Sequence, residues 1–194
     1  MIHSLATRMA SVFVFFGEST EEDTDIYTYA CEAIISTFIS MVVALSIALL
    51  LNRVVEGIVF TLVFVLLRRY TGGHHAKTHA MCILTYGIIL ACSLLSLSIE
   101  STAQALNIAI MIIATVSLVG IFVLAPVGNE NKPIGEELRL SSKRKSRLIA
   151  STFYVICLLA TAYIIEGSVG FIISLSLFSV FASLLYVRLS SNFS

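Results

Sequence analysis

Apolar runs of roughly 20 residues recur along this 194-residue chain with only short polar interruptions, and nothing else in the sequence constrains its folding as strongly. A helix needs about 20 residues to cross the hydrocarbon core of a bilayer, where a segment must satisfy its own backbone hydrogen bonds. Such runs cover about Tyr29 to Leu51, Met81 to Ile99, Ile108 to Leu124, Leu148 to Ile165 and Val169 to Leu189. A sixth, Val54 to Leu67, holds 14 residues and is interrupted by Glu56, so it tilts, re-enters or crosses a thin region. Hydrophobic side chains make up 58% of the chain and charged ones 12%, more apolar surface than one soluble core of this size can hide. The predicted fold is all-α: one domain over residues 1–194, a polytopic membrane helical bundle of about six transmembrane segments.

Residues 1–17 read differently. Ile2, Leu5, Met9, Val12 and Phe16 recur at spacings of three and four, which predicts an amphipathic helix lying in the interface. A removable signal peptide is not expected, because His3, Arg8 and Gly17 interrupt the apolar stretch and no small-residue cleavage site follows. The acidic connector 17–25 leads to the first span.

Charge balances at 12 basic and 12 acidic residues, which gives no field for nucleic acid. Position matters more than sum. With six spans, the segment carrying Arg68, Arg69 and Lys77 shares a side with the polar loop 125–147, which holds Lys132, Arg139 and the cluster Lys143 to Arg147. The positive-inside rule then places both basic segments and both termini in the cytoplasm, with Arg53 as the dissenting charge. The basic cluster reads mainly as a site for anionic lipid or as an orientation signal.

Four cysteines, Cys31, Cys82, Cys92 and Cys157, lack the paired spacing of a disulfide or zinc framework. Cys31, Cys92 and Cys157 read as small buried apolar residues. Cys82 differs because the segment 68–82 before it gathers His74, His75, His79, Gly72 and Gly73 between two apolar runs. A thiol beside an imidazole is the minimum equipment for nucleophilic acyl transfer. His75 and Cys82 are seven residues apart, which on an unbroken helix puts about 10.5 Å between their Cα atoms along the axis. Catalysis therefore predicts a break, with the Gly72–Gly73 turn and His75 folding back over the start of the helix that bears Cys82. A thiol in that first turn feels the positive end of the helix, which favours the thiolate, and backbone N–H groups there are candidates for an oxyanion site. A metal site competes with this reading. His75, His79 and Cys82 are spaced by four and three, one face of a continuous helix, with His74 in reserve. The segment lacks an acidic ligand, and its glycines favour a turn. Residues alone leave thiol catalysis and metal binding open.

The run Arg68, Gly72-Gly73, His75-Ala76 and Cys82 resembles the signature of the AgrB family, membrane peptidases that process AgrD-type quorum-sensing propeptides in Gram-positive bacteria. A second match is Ala125-Pro126 with Lys132-Pro133-Ile134, ahead of the basic cluster. The similarity extends over nearly the whole chain. It implies a cysteine endopeptidase with Cys82 as nucleophile and His75 as base, supported by Arg68, Gly72, Gly73, Lys132 and Pro133, and no metal or cofactor. The substrate implied is an AgrD-like propeptide whose C-terminal tail is released from an acyl-enzyme thioester, after which a cysteine or serine of the peptide closes a thiolactone or lactone. A multi-pass protein of the cell membrane, with a cytoplasmic active site and a homodimeric state, is implied as well. Arg68 is a candidate grip for a substrate carboxylate as much as a membrane-edge anchor. The rivals are a metal-dependent membrane hydrolase and a small peptide transporter, for which Glu56 is the main intramembrane candidate.

Overall fold

The computed structural model describes residues 2–15, 24–72, 78–98, 103–127, 136–162 and 167–190. These form seven helices: α1 (Ile2–Phe15), α2 (Thr24–Leu50), α3 (Val54–Thr71), α4 (His79–Ser96), α5 (Ala103–Leu124), α6 (Glu136–Ala162) and α7 (Gly167–Ser190). The chain is an all-helical membrane bundle. Four helices are long and apolar enough to cross a bilayer on their own, over Tyr27–Leu50, Asn107–Leu124, Arg139–Ala162 and Ser168–Ser190, where the sequence predicted six spans. The difference lies in α3 and α4. Each has 18 residues, about 27 Å at helical rise, and α3 carries Glu56, Arg68 and Arg69 near its ends.

α7 is the central post, packed against α3, α5 and α6. Half of its apolar window is buried, against 11% for α2, so α7 is surrounded by protein while α2 faces lipid. Lipid tails are as apolar as leucine, so helices associate here by close fit and short hydrogen bonds rather than by escape from water. Gly120 of α5 shows the fit: a Cβ there would stand 2.2 Å from the Phe181 ring of α7. Ser176 Oγ donates to the Phe60 carbonyl of α3 at 3.1 Å, and Cys157 Sγ of α6 to the Gly170 carbonyl at 3.2 Å.

α1 packs on α2 through small residues. Ala6 and Ala10 are fully buried, one turn apart, and His3 Nδ1 lies 2.6 Å from Glu32 Oε1. Leu5 and Met9, members of the expected stripe, remain exposed, as an interfacial helix requires of the face it turns to lipid. Leu5 and Met9 therefore lie on the free face, and the alanines form the docking face.

The α2–α3 corner neutralises the dissenting charge. Asn52 takes φ 53°, a left-handed conformation asparagine tolerates, and Arg53 N–H bonds the Ala48 carbonyl at 2.9 Å. Arg53 Nη1 then meets Glu56 Oε1 at 3.3 Å. Both charges that disturbed the sequence reading thus satisfy each other at the start of α3, and Glu56 loses its standing as a transport group.

The ends of α3 and α5 and the starts of α4 and α6 share one face of the bundle. Gly72, after α3, pairs with Val127, after α5, in a single parallel bridge. Lys145 of α6 lies over the Tyr70 ring of α3 at 5.6 Å, and Arg147 donates to the Phe122 carbonyl of α5 at 2.8 Å. The sequence put the cluster Lys143 to Arg147 in the loop 125–147, whereas residues 136–147 are the first turns of α6. Helix continues there because the segment holds no glycine or proline after Gly135, and lysine and arginine are good helix formers.

Candidate active site

Two helix ends make the site. α3 closes with Arg68 and Arg69 in its last turn, where cations complement the negative end of the helix. Gly72 follows at φ 71°, ψ −148°, and its N–H bonds the Arg68 carbonyl at 3.2 Å. Only glycine is suited to this position. Its backbone occupies a region that side chains avoid, and a Cβ would stand 2.3 Å from the Val127 carbonyl oxygen. Val127 N–H bonds the Thr71 carbonyl at 3.0 Å, which completes the pairing. The Ala125-Pro126 motif and the Gly72 motif, more than 50 residues apart in sequence, thereby touch.

α4 starts after Thr78, whose backbone is extended at φ −136°, ψ 149°. Its Oγ1 accepts from Met81 N–H at 3.3 Å, a standard N-cap, and its carbonyl accepts from Cys82 N–H at 3.2 Å. An extended Thr78 means that positions 75, 79 and 82 cannot lie on one continuous helical face, so the single-helix metal arrangement is corrected. Among the described residues no three His, Cys, Asp or Glu side chains converge. The break expected between positions 75 and 82 is present. His75 itself, with Gly73, Lys132 and Pro133, lies outside the described residues, as does the loop expected to fold back over the helix start.

Cys82 is half-buried in the first turn of α4. The N–H groups of Met81 and Cys82 are both engaged by Thr78, so these two are not the oxyanion donors that the helix start suggested. From Cys82 a groove of about 620 Å³ runs between α4, α3 and α7. It exists because α4 leans mainly on α2 and touches α3 and α7 only lightly. Ile88, Ile89, Leu175, Phe178 and Ala182 give it an apolar lining. Tyr86 closes one wall, its hydroxyl donating to Thr61 Oγ1 at 2.8 Å and its ring 5.3 Å from that of Phe64.

Arg68 stands on the same groove as Cys82. Its guanidinium sits over Phe64, 5.5 Å from the ring centroid, and Nη1 donates to Ser183 Oγ of α7 at 2.9 Å. Arg68 lies past the apolar stretch 54–67. Burial lowers its pKa from the ordinary arginine value, and the nearby Cys82 sulfur, as an anion, acts the other way. A guanidinium titrates far above neutrality, so Arg68 is a fixed positive charge beside a thiol.

Of the residues singled out in the sequence, the structure therefore brings Cys82, Arg68 and Gly72 together at one end of the bundle. The contribution of α7 was missed. Its signal was present in Ser176, Ser179 and Ser183, small polar residues at spacings of three and four within an apolar helix.

The junction of both motifs at one helix end coincides with a family-level match. The model of the family described as accessory gene regulator B, AgrB, matches residues 6–187. The chain belongs to the AgrB family. An AgrB-like protein of Clostridium perfringens strain SM101 is 32% identical over 138 residues, and AgrB-like protein 2 of strain 13 is 30% identical over 139. Each match covers 69% of this chain and 64% of the relative, so the chain spans under two thirds of the length of these relatives. No solved structure matches the chain.

Proposed function

We propose that this protein is a membrane cysteine endopeptidase that removes the C-terminal tail of an AgrD-like quorum-sensing propeptide. The observation that carries the reading is Cys82 in the first turn of α4, on an apolar groove that the fixed charge of Arg68 also lines. Helix start and guanidinium both present positive charge towards the sulfur.

In this mechanism His75 takes the Cys82 proton, and the thiolate attacks the carbonyl carbon of the scissile bond. Collapse of the tetrahedral anion breaks the C–N bond. The imidazolium returns its proton to the leaving amine, the tail departs, and a thioester to Cys82 remains. A cysteine or serine side chain of the bound peptide then attacks the thioester, releasing the Cys82 thiol and closing a thiolactone or lactone. Intramolecular capture competes with water because the nucleophile is held at high effective molarity and the groove is apolar. Gly72 gives the turn its shape, Arg68 holds charge at the site, and Gly73, Lys132 and Pro133 belong to the proposed supporting set through the family motifs. The shared basic face, with Arg69, Lys143, Arg144 and Lys145, supports a cytoplasmic site under the positive-inside rule. The working form in this proposal is a homodimer, which cross-linking in lipid tests.

Purified protein in lipid with a candidate precursor supplies the decisive comparison. Cys82→Ala, Cys82→Ser and His75→Ala lose cleavage and keep peptide binding. Continued cleavage by Cys82→Ala removes the nucleophile from the proposal.

A further inference from the structure

Arginine at the end of a membrane helix ordinarily extends its long stem toward water and headgroups. Arg68 does otherwise. It is half-buried, rests on Phe64, and bonds Ser183, 115 residues away on α7. The ring face fixes how near the guanidinium comes but leaves its rotation open. The bond at 2.9 Å from Nη1 to Ser183 Oγ fixes that rotation. The other serines and threonines of the groove donate within their own helices: Thr85 to the Met81 carbonyl, Ser93 to Ile89 and Ser179 to Leu175. Ser183 is the groove serine whose oxygen takes a bond from a neighbouring helix, from the arginine that lines the groove with Cys82.

We infer that Ser183 is a positioning residue, holding the Arg68 guanidinium turned into the groove beside the Cys82 sulfur, so that α7 forms part of the active site. The inference rests on Cys82 being the nucleophile. A positive charge assists a thiolate and the anion formed at the attacked carbonyl only while its position is fixed, because a mobile arginine follows solvent instead.

The test needs no substrate. Full-length protein in lipid vesicles is treated with iodoacetate or iodoacetamide, and alkylation of Cys82 and Cys92 is followed by mass spectrometry. The anionic reagent samples a nearby cation and the neutral one does not, so their rate ratio at Cys82 reports where Arg68 points. Cys92 lines the same groove ten residues on, about 15 Å along α4, and serves as the internal reference. Ser183→Ala lowers the ratio at Cys82 by about fivefold, as expected when a charge withdraws a few ångströms in a partly buried site. Ser183→Thr keeps the parent ratio, and Arg68→Gln lowers it so that adding Ser183→Ala changes nothing further. The inference is overturned by an unchanged ratio in Ser183→Ala while Arg68→Gln falls, or by an equal fall at Cys92. Failure of the broader reading looks different: Cys82→Ala would go on cleaving, whatever the alkylation ratios.

Discussion

Replacing Gly72 with alanine tests whether the contact between α3 and the 125–127 segment shapes the site. At φ 71°, ψ −148°, a residue with a side chain costs about 1–3 kcal/mol in backbone strain. The new Cβ also meets the Val127 carbonyl oxygen at 2.3 Å, where ordinary contact begins at 3.4 Å, so the carbonyl must retreat by 3.4 − 2.3 = 1.1 Å. That shift breaks the bond from Val127 N–H to the Thr71 carbonyl, now 3.0 Å long, for a further loss of about 1 kcal/mol. Together these oppose the native turn by about 2–4 kcal/mol, roughly a 30- to 900-fold fall in its relative population. Membrane helices are stable before they assemble, so the bundle survives and the damage stays local. The expected outcome for Gly72→Ala is at least about a 30-fold loss in kcat/KM for precursor cleavage, with a small change in Tm. Gly120→Ala is the counterpart. Its Cβ strikes the Phe181 ring at 2.2 Å, at a helix contact outside the groove lining, so Tm falls while cleavage per folded molecule stays near that of the parent. Parent-like cleavage by Gly72→Ala, with Tm unchanged, would refute the reasoning.

Three further outcomes follow from the same contacts. Thr78→Ala removes the cap on Met81 N–H and weakens the start of α4 by about 1 kcal/mol, seen as faster amide exchange at Met81, while Thr78→Ser stays near the parent. Tyr86→Phe and Thr61→Val each lose the bond that closes the groove wall, and the double variant falls short of the sum by about 0.5–1.5 kcal/mol in a stability cycle; full additivity refutes the pairing. Ala10→Leu overfills the α1–α2 contact at a cost of about 1–3 kcal/mol, measured as increased protease cutting within α1, whereas Leu5→Ala leaves cutting unchanged.

Much of the bundle was legible because lipid allows few solutions. Apolar length alone located six of the helices, and three-and-four spacing located α1. What spacing could not give was the inward face of α1, since Ala6 and Ala10 carry little hydrophobic signal and matter only as places of close approach. Length also failed where a charged segment kept its helical preference: residues 136–147 read as loop because they are polar, yet they continue into α6. At the site, the seven-residue spacing called for a break before Cys82 only if His75 and Cys82 act together, and the glycines favoured one; extended Thr78 is such a break. The partner of Ser183 was not legible in the same way. A serine within an apolar helix gains meaning only from the residue opposite, and nothing local in 168–190 indicates that Arg68 stands there.

The short helices have a mechanistic consequence. α3 stays apolar only to Leu67, 14 residues or about 21 Å from Val54, against the roughly 30 Å of a hydrocarbon core. Its neighbour α2 has 27 residues, about 40 Å, so the two cannot both match one bilayer thickness without tilt or local thinning. A chain end that stops short places its following turn near the acyl boundary rather than in bulk water. For the thioester-forming peptidase proposed above that location is useful, because hydrolysis of the intermediate depends on water reaching it, whereas capture by the bound peptide does not. Extending α3 outward by an inserted helical turn, with Cys82 and Arg68 retained, then raises the share of linear over cyclic product. An unchanged ratio would mean that the groove itself, not the depth of the turn, excludes water.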